Sequence, residues 1–191
     1  MEVRNYKTRQ KPLELLSSGD LIIRQNEMSV KGYESVPTDK EGESETVEIE
    51  EYQYFETVVP SSDTKKEECI SLVKDVVLKL ITDHDGSVNV NSFTINGMKY
   101  WLDKDTRAGL MLRFNAEKSA GKTETTLWVG NNSIILAIDD AIKMLYALEV
   151  YASACYDNTV QHKANVSALT TVEEVMNYDY KTGYPNKLEF K

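Results

Sequence analysis

The sequence predicts an α+β fold in which a β-rich arm with an acidic loop, residues 1–60, precedes a compact α+β domain, residues 61–191. Three observations lead to this prediction. Branched and aromatic residues alternate within the first sixty residues, Asn96–Gly97 separates two runs of strand formers, and apolar residues later recur at helical spacing. After the arm we expect an amphipathic helix, a β-hairpin, a helix, a strand pair, a long helix and a short C-terminal helix.

The composition indicates an acidic globular chain. Its 191 residues carry a formal net charge of −9, and 41% of them are hydrophobic. A chain of this size can bury roughly 70% of the surface that its unfolded form exposes, so a core needs neither a disulfide nor a metal. The acidic balance argues against a nucleic-acid partner, because clustered Lys and Arg are needed to neutralise phosphates. No apolar run approaches the ~20 residues that span a bilayer, so we expect no membrane partner.

The cysteines and the N-terminus indicate folding in a reducing cytoplasm. Cys69 and Cys155 belong to no CxxC pattern and no Cys/His cluster. We therefore expect two thiols that act as small buried hydrophobes. The first residues include basic side chains but lack the apolar core of about 7–15 residues that a secretory signal requires.

The arm combines two predicted strands with an acidic loop. Residues 20–25 favour a short strand, and residues 46–59 favour a second strand with a bulge at Glu50–Glu51. Residues 34–45 are rich in turn formers and low in hydrophobicity, so we expect an exposed loop there. The nine acidic residues between 34 and 56 fit either a solvated edge that resists aggregation or an acidic docking site.

The first helix is predicted to follow Pro60. Ser61, Ser62 or Asp63 can cap it, and two glutamates at 67 and 68 would lie in its first turn, where the helix dipole favours negative charge. Apolar residues at three- and four-residue spacing then form one stripe: Ile70, Val73, Val76, Val77, Leu80 and Ile81. We expect the helix to end near residues 83–86.

The β-hairpin is the strongest local prediction. An Asn-Gly pair suits a type I′ turn, whose two central residues need positive φ, so residues 91–96 and 98–102 are predicted to pair. Asp103 or Asp105 is expected to start a helix over about 105–119, which a loop follows.

A strand pair and two helices complete the predicted order. Residues 124–129 and 134–138 favour two strands joined by a turn, although the second run also fits the start of the next helix. Asp139–Asp140 can begin that long helix, which keeps helical spacing to at least residue 157, with a continuation through Ala164 left open. Two threonines before two glutamates then form a capping-box pattern for the last helix: Thr170, Thr171, Glu173 and Glu174.

Two sequence patterns that contain histidine were candidates for a metal site and a catalytic pair, and the spacing argues against both. Asp83-His84-Asp85 could offer ligands to a metal, but metal sites usually draw on separated segments, and the run is typical of a helix terminus before Gly86. Cys155 and His162 are seven residues apart, which would separate them by ~10 Å along a helix axis. That distance argues against a catalytic pair.

Two short motifs fail on spacing. The AGKTET run at 120–125 lacks the upstream glycine and the following helix of a phosphate-binding loop. Asp103 and Asp105 lack the glycine that a calcium loop needs at its sixth position. We therefore predict no catalytic residue, no cofactor, no metal site and no small-molecule substrate, and we expect that the chain is not an enzyme.

The chain has eleven tyrosines, several of them near its end. This group comprises Tyr151, Tyr156, Tyr178, Tyr180 and Tyr184. Tyrosine suits interfaces because one end is apolar and the other forms hydrogen bonds. The group fits either partly buried core residues or an assembly surface.

Three segments carry a resemblance to a known family. They are FTINGMKYWLDKDTRAGLMLRFNA (93–116), TTLWVGNNSIILAIDDAIKMLYAL (125–148) and ANVSALTTVEEVMNYD (164–179). In order and spacing they resemble a domain family of unknown function from tailed bacteriophages and prophages, which occurs in tail-associated and tail-fibre-assembly proteins. The resemblance covers residues from about 92 to 191, and residues 1–60 match no family. The family has no known catalytic residues.

The resemblance implies a structural virion component of a tailed bacteriophage, in a neck or tail ring or at a tail-fibre attachment, present in multiple copies. Its implied partners are other neck and tail proteins and copies of itself, and its implied location is the virion after folding in the host bacterial cytoplasm. The alternative is a non-virion tail-fibre assembly chaperone. Aromatic residues of the arm and of the C-terminal end are the candidate interface anchors: Tyr52, Tyr54, Phe55, Tyr178, Tyr180 and Tyr184.

Overall fold

A computed structural model describes residues 1–37, 44–129 and 131–190 of the chain. It confirms the mixed α+β class and the predicted order of helices. The elements are β1 (Glu2–Tyr6), β2 (Leu13–Leu15), β3 (Leu21–Pro37), β4 (Ser44–Val59), α1 (Glu67–Asp85), β5 (Phe93–Ile95), β6 (Met98–Tyr100), α2 (Lys104–Ser119), β7 (Glu124–Val129), β8 (Asn132–Ala137), α3 (Ile138–Ala168), α4 (Val172–Met176) and β9 (Glu189–Phe190).

The chain divides into two compact units. The first unit comprises Met1–Lys79 and Val166–Tyr178, and the second comprises Leu80–Asn165 and Asp179–Lys191. The functional division of the chain at residue 60 stays a prediction.

The first unit contains a four-stranded antiparallel sheet in the order β1-β4-β3-β2. The pairing of β3 with β4 runs from Leu21 opposite Val59 to Pro37 opposite Ser44. The expected loop over 34–45 is therefore wrong at both ends, where Glu34–Pro37 and Ser44–Glu45 are strand residues, and its middle, 38–43, lies outside the described residues. Polar composition alone predicted a loop, but an exposed strand tolerates such residues when a partner strand supplies its backbone hydrogen bonds.

The bulge in this sheet lies on β3, not at Glu50–Glu51 of β4. Gln25 is opposite Phe55 and Met28 is opposite Gln53, so two residues of β3 face one residue of β4. Asn26 occupies this step with φ of 55°, a left-handed conformation that asparagine tolerates better than most residues. The consecutive glutamates of β4 instead alternate regularly between the two faces.

The first helix begins later than the capping residues suggested. Asp63 donates its backbone N–H to Pro60 O at 2.8 Å and accepts one from Lys66 at 3.0 Å, so residues 60–66 form turns before α1 starts at Glu67. Pro60 has no N–H to donate, and the tight turn that follows it delays the helix. The predicted apolar stripe is confirmed, since Val73 and Ile81 are fully buried.

The second unit contains the predicted hairpin and shows that the second run of the predicted strand pair is a strand, not the start of the next helix. Asn96 and Gly97 have φ of 50° and 79° at the turn between β5 and β6. The second run of the strand pair is β8, and α3 starts directly after it at Ile138. The chain end adds a short parallel strand, because β9 pairs with β5. Its core includes Phe93, Phe114 and other buried side chains of these elements.

The helix caps follow local sequence. Asp103 is the N-cap of α2, and its carboxylate accepts a 2.7 Å hydrogen bond from the Thr106 N–H. Thr171 and Glu174 form the complete capping box of α4, as predicted. The long helix α3 extends through Ala168.

Candidate assembly surface

The first unit carries a two-stranded extension, which we call the acidic ribbon: Val30–Pro37 of β3 and Ser44–Glu51 of β4. β1 pairs with β4 only at residues 52–56, and β2 pairs with β3 only at residues 21–23. Within residues 1–37, 44–129 and 131–190, no further strand lies along either edge of the ribbon. Both edges therefore present backbone N–H and C=O groups that no sheet partner satisfies.

One face of the ribbon, which we call the apolar face, carries four branched apolar residues together with Glu34 and Glu51. Cross-strand partners share a face, so Val30, Val36, Val47 and Ile49 lie together on one side of the ribbon. Val36 and Val47 are 39% and 38% exposed. Exposed branched residues that share a face, rather than single scattered ones, are typical of interaction surfaces.

The bulge at Asn26 sets which face is apolar. Before the bulge, Leu21 and Ile23 are buried on the face that carries the odd-numbered residues of β4. The extra residue shifts the alternation of β3 by one, so Met28 and Val30 lie on that same face. Without the bulge, the apolar residues of the distal part of β3 would point to the opposite side.

Glutamates dominate the charge of the ribbon. It contains one lysine and five glutamates: Lys31, Glu34, Glu45, Glu48, Glu50 and Glu51. Lys31 Nζ lies 2.9 Å from a Glu48 carboxylate oxygen, and the Ser29 hydroxyl donates a 2.6 Å hydrogen bond to Glu50. The Glu51 side chain lies across Gly32, where an added Cβ would be only 2.5 Å from its Cδ.

A buried ion pair fixes the base of the ribbon. Arg24 Nε lies 2.9 Å from Glu56 Oε2, and both residues are about 95% or more buried, at 5% and 3% exposed. The Tyr6 hydroxyl donates to the same carboxylate at 2.6 Å, and Arg24 Nη1 also pairs with Glu14 at 2.8 Å. Burial alone would raise the pKa of Glu56, but the hydrogen bonds from Tyr6 and Arg24 outweigh it and hold this pKa below its ordinary value. The network joins all four strands of the sheet.

The structure divides the predicted arm anchors between two faces. Tyr52 and Tyr54 lie on the polar face, and Phe55 lies on the apolar face. Tyr52 is partly exposed, with the Arg9 guanidinium 5.3 Å from its ring centroid, whereas Tyr54 is only 2% exposed. Phe55 is partly exposed and lies opposite Val3 and Gln25. The three residues therefore do not form one continuous surface.

The predicted C-terminal anchors are all partly buried. Tyr178 belongs to the first unit, and Tyr180 and Tyr184 belong to the second. His84 lies 5.9 Å from Tyr180 and 5.2 Å from Tyr184, measured between ring centroids. His162 lies 5.8 Å from Tyr184, so the only two histidines of the chain meet around one tyrosine.

Hydrogen bonds hold this aromatic cluster in place. His162 Nε2 lies 2.9 Å from Thr182 O, and the Thr159 hydroxyl lies 3.0 Å from both Asp85 Oδ1 and the Tyr184 hydroxyl. Burial and the nearby Lys181 lower the pKa of His84, against the opposing effect of Asp85. The two tyrosines thus contribute to packing within their own unit.

The two cysteines have the surroundings of inert thiols. Cys69 and Cys155 are 4% and 2% exposed, and both are free. Burial raises the pKa of both thiols, which disfavours the nucleophilic thiolate. Cys155 packs with Val90 and Tyr151 in a small apolar cluster.

No group of three or more His, Cys, Asp and Glu side chains is placed to hold a metal within the described ranges.

One exposed apolar patch was not predicted from the sequence. Trp128 and Ile135 are 61% and 69% exposed on the outer face of the β7–β8 pair. With Arg113 and Glu117 of α2 they line an open groove of about 410 Å³. The alternation in residues 124–129 contained the signal, since it places Leu127 in the core and Trp128 on the opposite face.

The chain was compared with protein families, curated proteins and solved structures, and no match was found in any of the three comparisons. The resemblance to the tailed-phage domain family therefore stays a prediction. Among the described helices, none is both long enough and apolar enough to cross a membrane.

Proposed function

We propose that the chain is a structural virion component of a tailed bacteriophage, in a neck or tail ring or at a tail-fibre attachment. It assembles there in multiple copies through protein–protein interfaces, after folding in the host cytoplasm. The acidic ribbon is the observation that carries the assembly role, and the resemblance over residues 92–191 supports the phage setting.

The acidic ribbon favours an assembly role because a partner would stabilise it. Eight residues of each strand extend it by roughly 26 Å at about 3.3 Å per residue. A two-stranded ribbon with no further cover is only marginally stable in water, and open strand edges are sites of pairing with other chains. A partner that covers the edge and the apolar face would satisfy both deficits.

Quantitative mass spectrometry of purified particles tests this proposal, with infected-cell lysate as the control. A built-in component is expected at a fixed ratio to the portal protein in every preparation. A chain that is abundant in lysate but absent from particles would overturn the proposal.

The second candidate is a non-virion tail-fibre assembly chaperone. An open strand edge beside an apolar face also suits transient capture of a client strand during folding. The same measurement separates the two functions, because a chaperone leaves the particle, whereas a structural component stays in it.

A further inference from the structure

We propose that the outer edge of β4 in the acidic ribbon, Ser44–Glu51, binds an extended segment of a different protein in which Lys or Arg alternates with apolar residues. This inference rests on the proposed function, because it names the chemistry of the partner at the same surface. The segment adds to the sheet as a further strand beside β4.

The position of β1 leaves this edge open. β1 pairs with β4 from Tyr52 to Glu56 and extends no further toward Ser44. The neighbouring residues of β4 therefore present their outward backbone groups to an added strand, as in other cases of β-augmentation. Main-chain hydrogen bonds supply affinity in this mode, and side chains beside the edge supply specificity.

The charge of the ribbon selects β4 over β3. Four of the five glutamates of the ribbon lie on β4: Glu45, Glu48, Glu50 and Glu51. On β3 the single glutamate, Glu34, is paired with Lys7, which follows β1. A positively charged segment thus gains more by lying beside β4.

The alternation of β4 predicts the pattern of the partner. Glu48 and Glu50 lie on one face, whereas Val47 and Ile49 lie on the other, where Glu51 follows them. An added strand places its own side chains beside these, on the same two faces. Its cations would then neighbour the glutamates, while its apolar residues would extend the Val47–Ile49 stripe.

The same charge argues against a second copy of this chain as the occupant of the edge. Two β4 edges brought together would place glutamates beside glutamates, and like charges in neighbouring strands are destabilising. Nucleic acid and anionic lipid are disfavoured for the same reason. The positive charge is therefore better supplied by another protein than by the β4 edge of a second copy.

A synthetic peptide of sequence KVKVKVKV, capped at both ends and fluorescently labelled, tests the proposal with the full-length chain. Fluorescence anisotropy measures its dissociation constant, and amide hydrogen exchange maps its position. We expect slower exchange over residues 44–51 when the peptide is bound. A peptide of the same composition without the alternation, KKVVKKVV, should bind more weakly.

Two double variants with the same change in net charge distinguish binding to these glutamates from attraction by the overall charge of the chain. Glu48→Gln with Glu50→Gln should weaken binding by about tenfold, given the energies of cross-strand ion pairs. Asp140→Asn with Asp157→Asn changes the net charge equally at exposed positions of α3, and it should change binding less than about twofold. Equal effects of the two variants would overturn the proposal.

N-methylation separates strand addition from simple charge attraction. A KVKVKVKV peptide methylated at its four central amides cannot form those main-chain hydrogen bonds, so it should bind at least about tenfold more weakly. Undiminished binding of the methylated peptide, or absence of binding by the unmethylated one, would overturn the proposal.

Failure of this inference is distinguishable from failure of the proposed function. If the chain is present in particles but does not bind the peptide, the proposed virion role stands and only the proposed partner chemistry is overturned. If the chain binds the peptide through residues 44–51 but is absent from particles, the partner chemistry stands and the proposed virion role is overturned.

Discussion

The Tyr54 hydroxyl donates a 3.0 Å hydrogen bond to Glu27, directly across from the bulge of β3. It also accepts a 2.9 Å hydrogen bond from the backbone N–H of Gln10. Burial raises the pKa of Tyr54, so the phenol stays protonated and keeps its donor role. Tyr54, which was predicted from the sequence as an interface anchor, thus stabilises the bulge of β3 through its hydroxyl.

Removing that hydroxyl should destabilise the first unit. We expect Tyr54→Phe to lower the free energy of unfolding by about 1–2 kcal/mol, because the Gln10 N–H and the Glu27 carboxylate lose a shared partner. Urea denaturation followed by circular dichroism measures this change. Tyr52→Phe is the matched control on the same face, and its loss should stay below about 0.5 kcal/mol because that hydroxyl forms a longer 3.3 Å bond at an exposed site. Equal losses of unfolding free energy in the two variants would contradict a stabilising role of the Tyr54 hydroxyl at the bulge.

The conformation of Asn26 predicts opposite outcomes for two substitutions. Its φ of 55° is left-handed, so Asn26→Val should cost about 1–2 kcal/mol of stability, whereas Asn26→Gly should be nearly neutral. Urea unfolding gives both values. A valine variant as stable as the glycine variant would show that the bulge relaxes into another register.

Local signals in the sequence identified several elements correctly. Asn96–Gly97 fixes a turn through the conformations of only two residues, and Thr171 with Glu174 caps a helix within four residues. Such features depend on neighbours in the chain, which the sequence shows directly.

Features that depend on distant residues were not predictable in the same way. The bulge at Asn26 exists because β3 must keep its apolar residues on one face of β4, and the pairing register is set across the sheet. His84 and His162 are 78 residues apart, yet they share one tyrosine as a neighbour. Spacing in the sequence contains no information on such encounters.

The buried pair of Arg24 and Glu56 should be the most sensitive site in the sheet. We expect Glu56→Gln to cost about 3 kcal/mol, because the buried Arg24 guanidinium would lose its buried countercharge and keep only Glu14, whose side chain is 43% exposed. Thermal and urea unfolding measure the loss. Glu2→Gln removes an exposed glutamate that pairs with Arg4, and it should be nearly neutral. A small effect of Glu56→Gln would show that water enters the network.

The same carboxylate predicts an acid-sensitive stability. Because the folded pKa of Glu56 lies below its ordinary value of 4.5, the unfolded chain takes up the proton first as the pH falls. Its stabilising effect is therefore fully present above about pH 4.5 and is lost as the pH decreases through the folded pKa. Urea unfolding at pH 7, 4.5 and 3.5 should show a steeper decline for the native chain than for Glu56→Gln.

His84 predicts a second pH dependence, in a higher window. Burial and Lys181 lower its pKa from the ordinary 6.5, so the unfolded chain binds the proton more readily than the folded chain. Stability from the neutral imidazole is complete above pH 6.5 and is lost as the pH falls toward the folded pKa, by at most about 1.4 kcal/mol per pH unit. His84→Phe keeps an aromatic ring beside Tyr184 and removes the titration, so its stability should fall less between pH 7 and pH 5.5. Parallel pH profiles of the two proteins would contradict this assignment and would place the titration at another group.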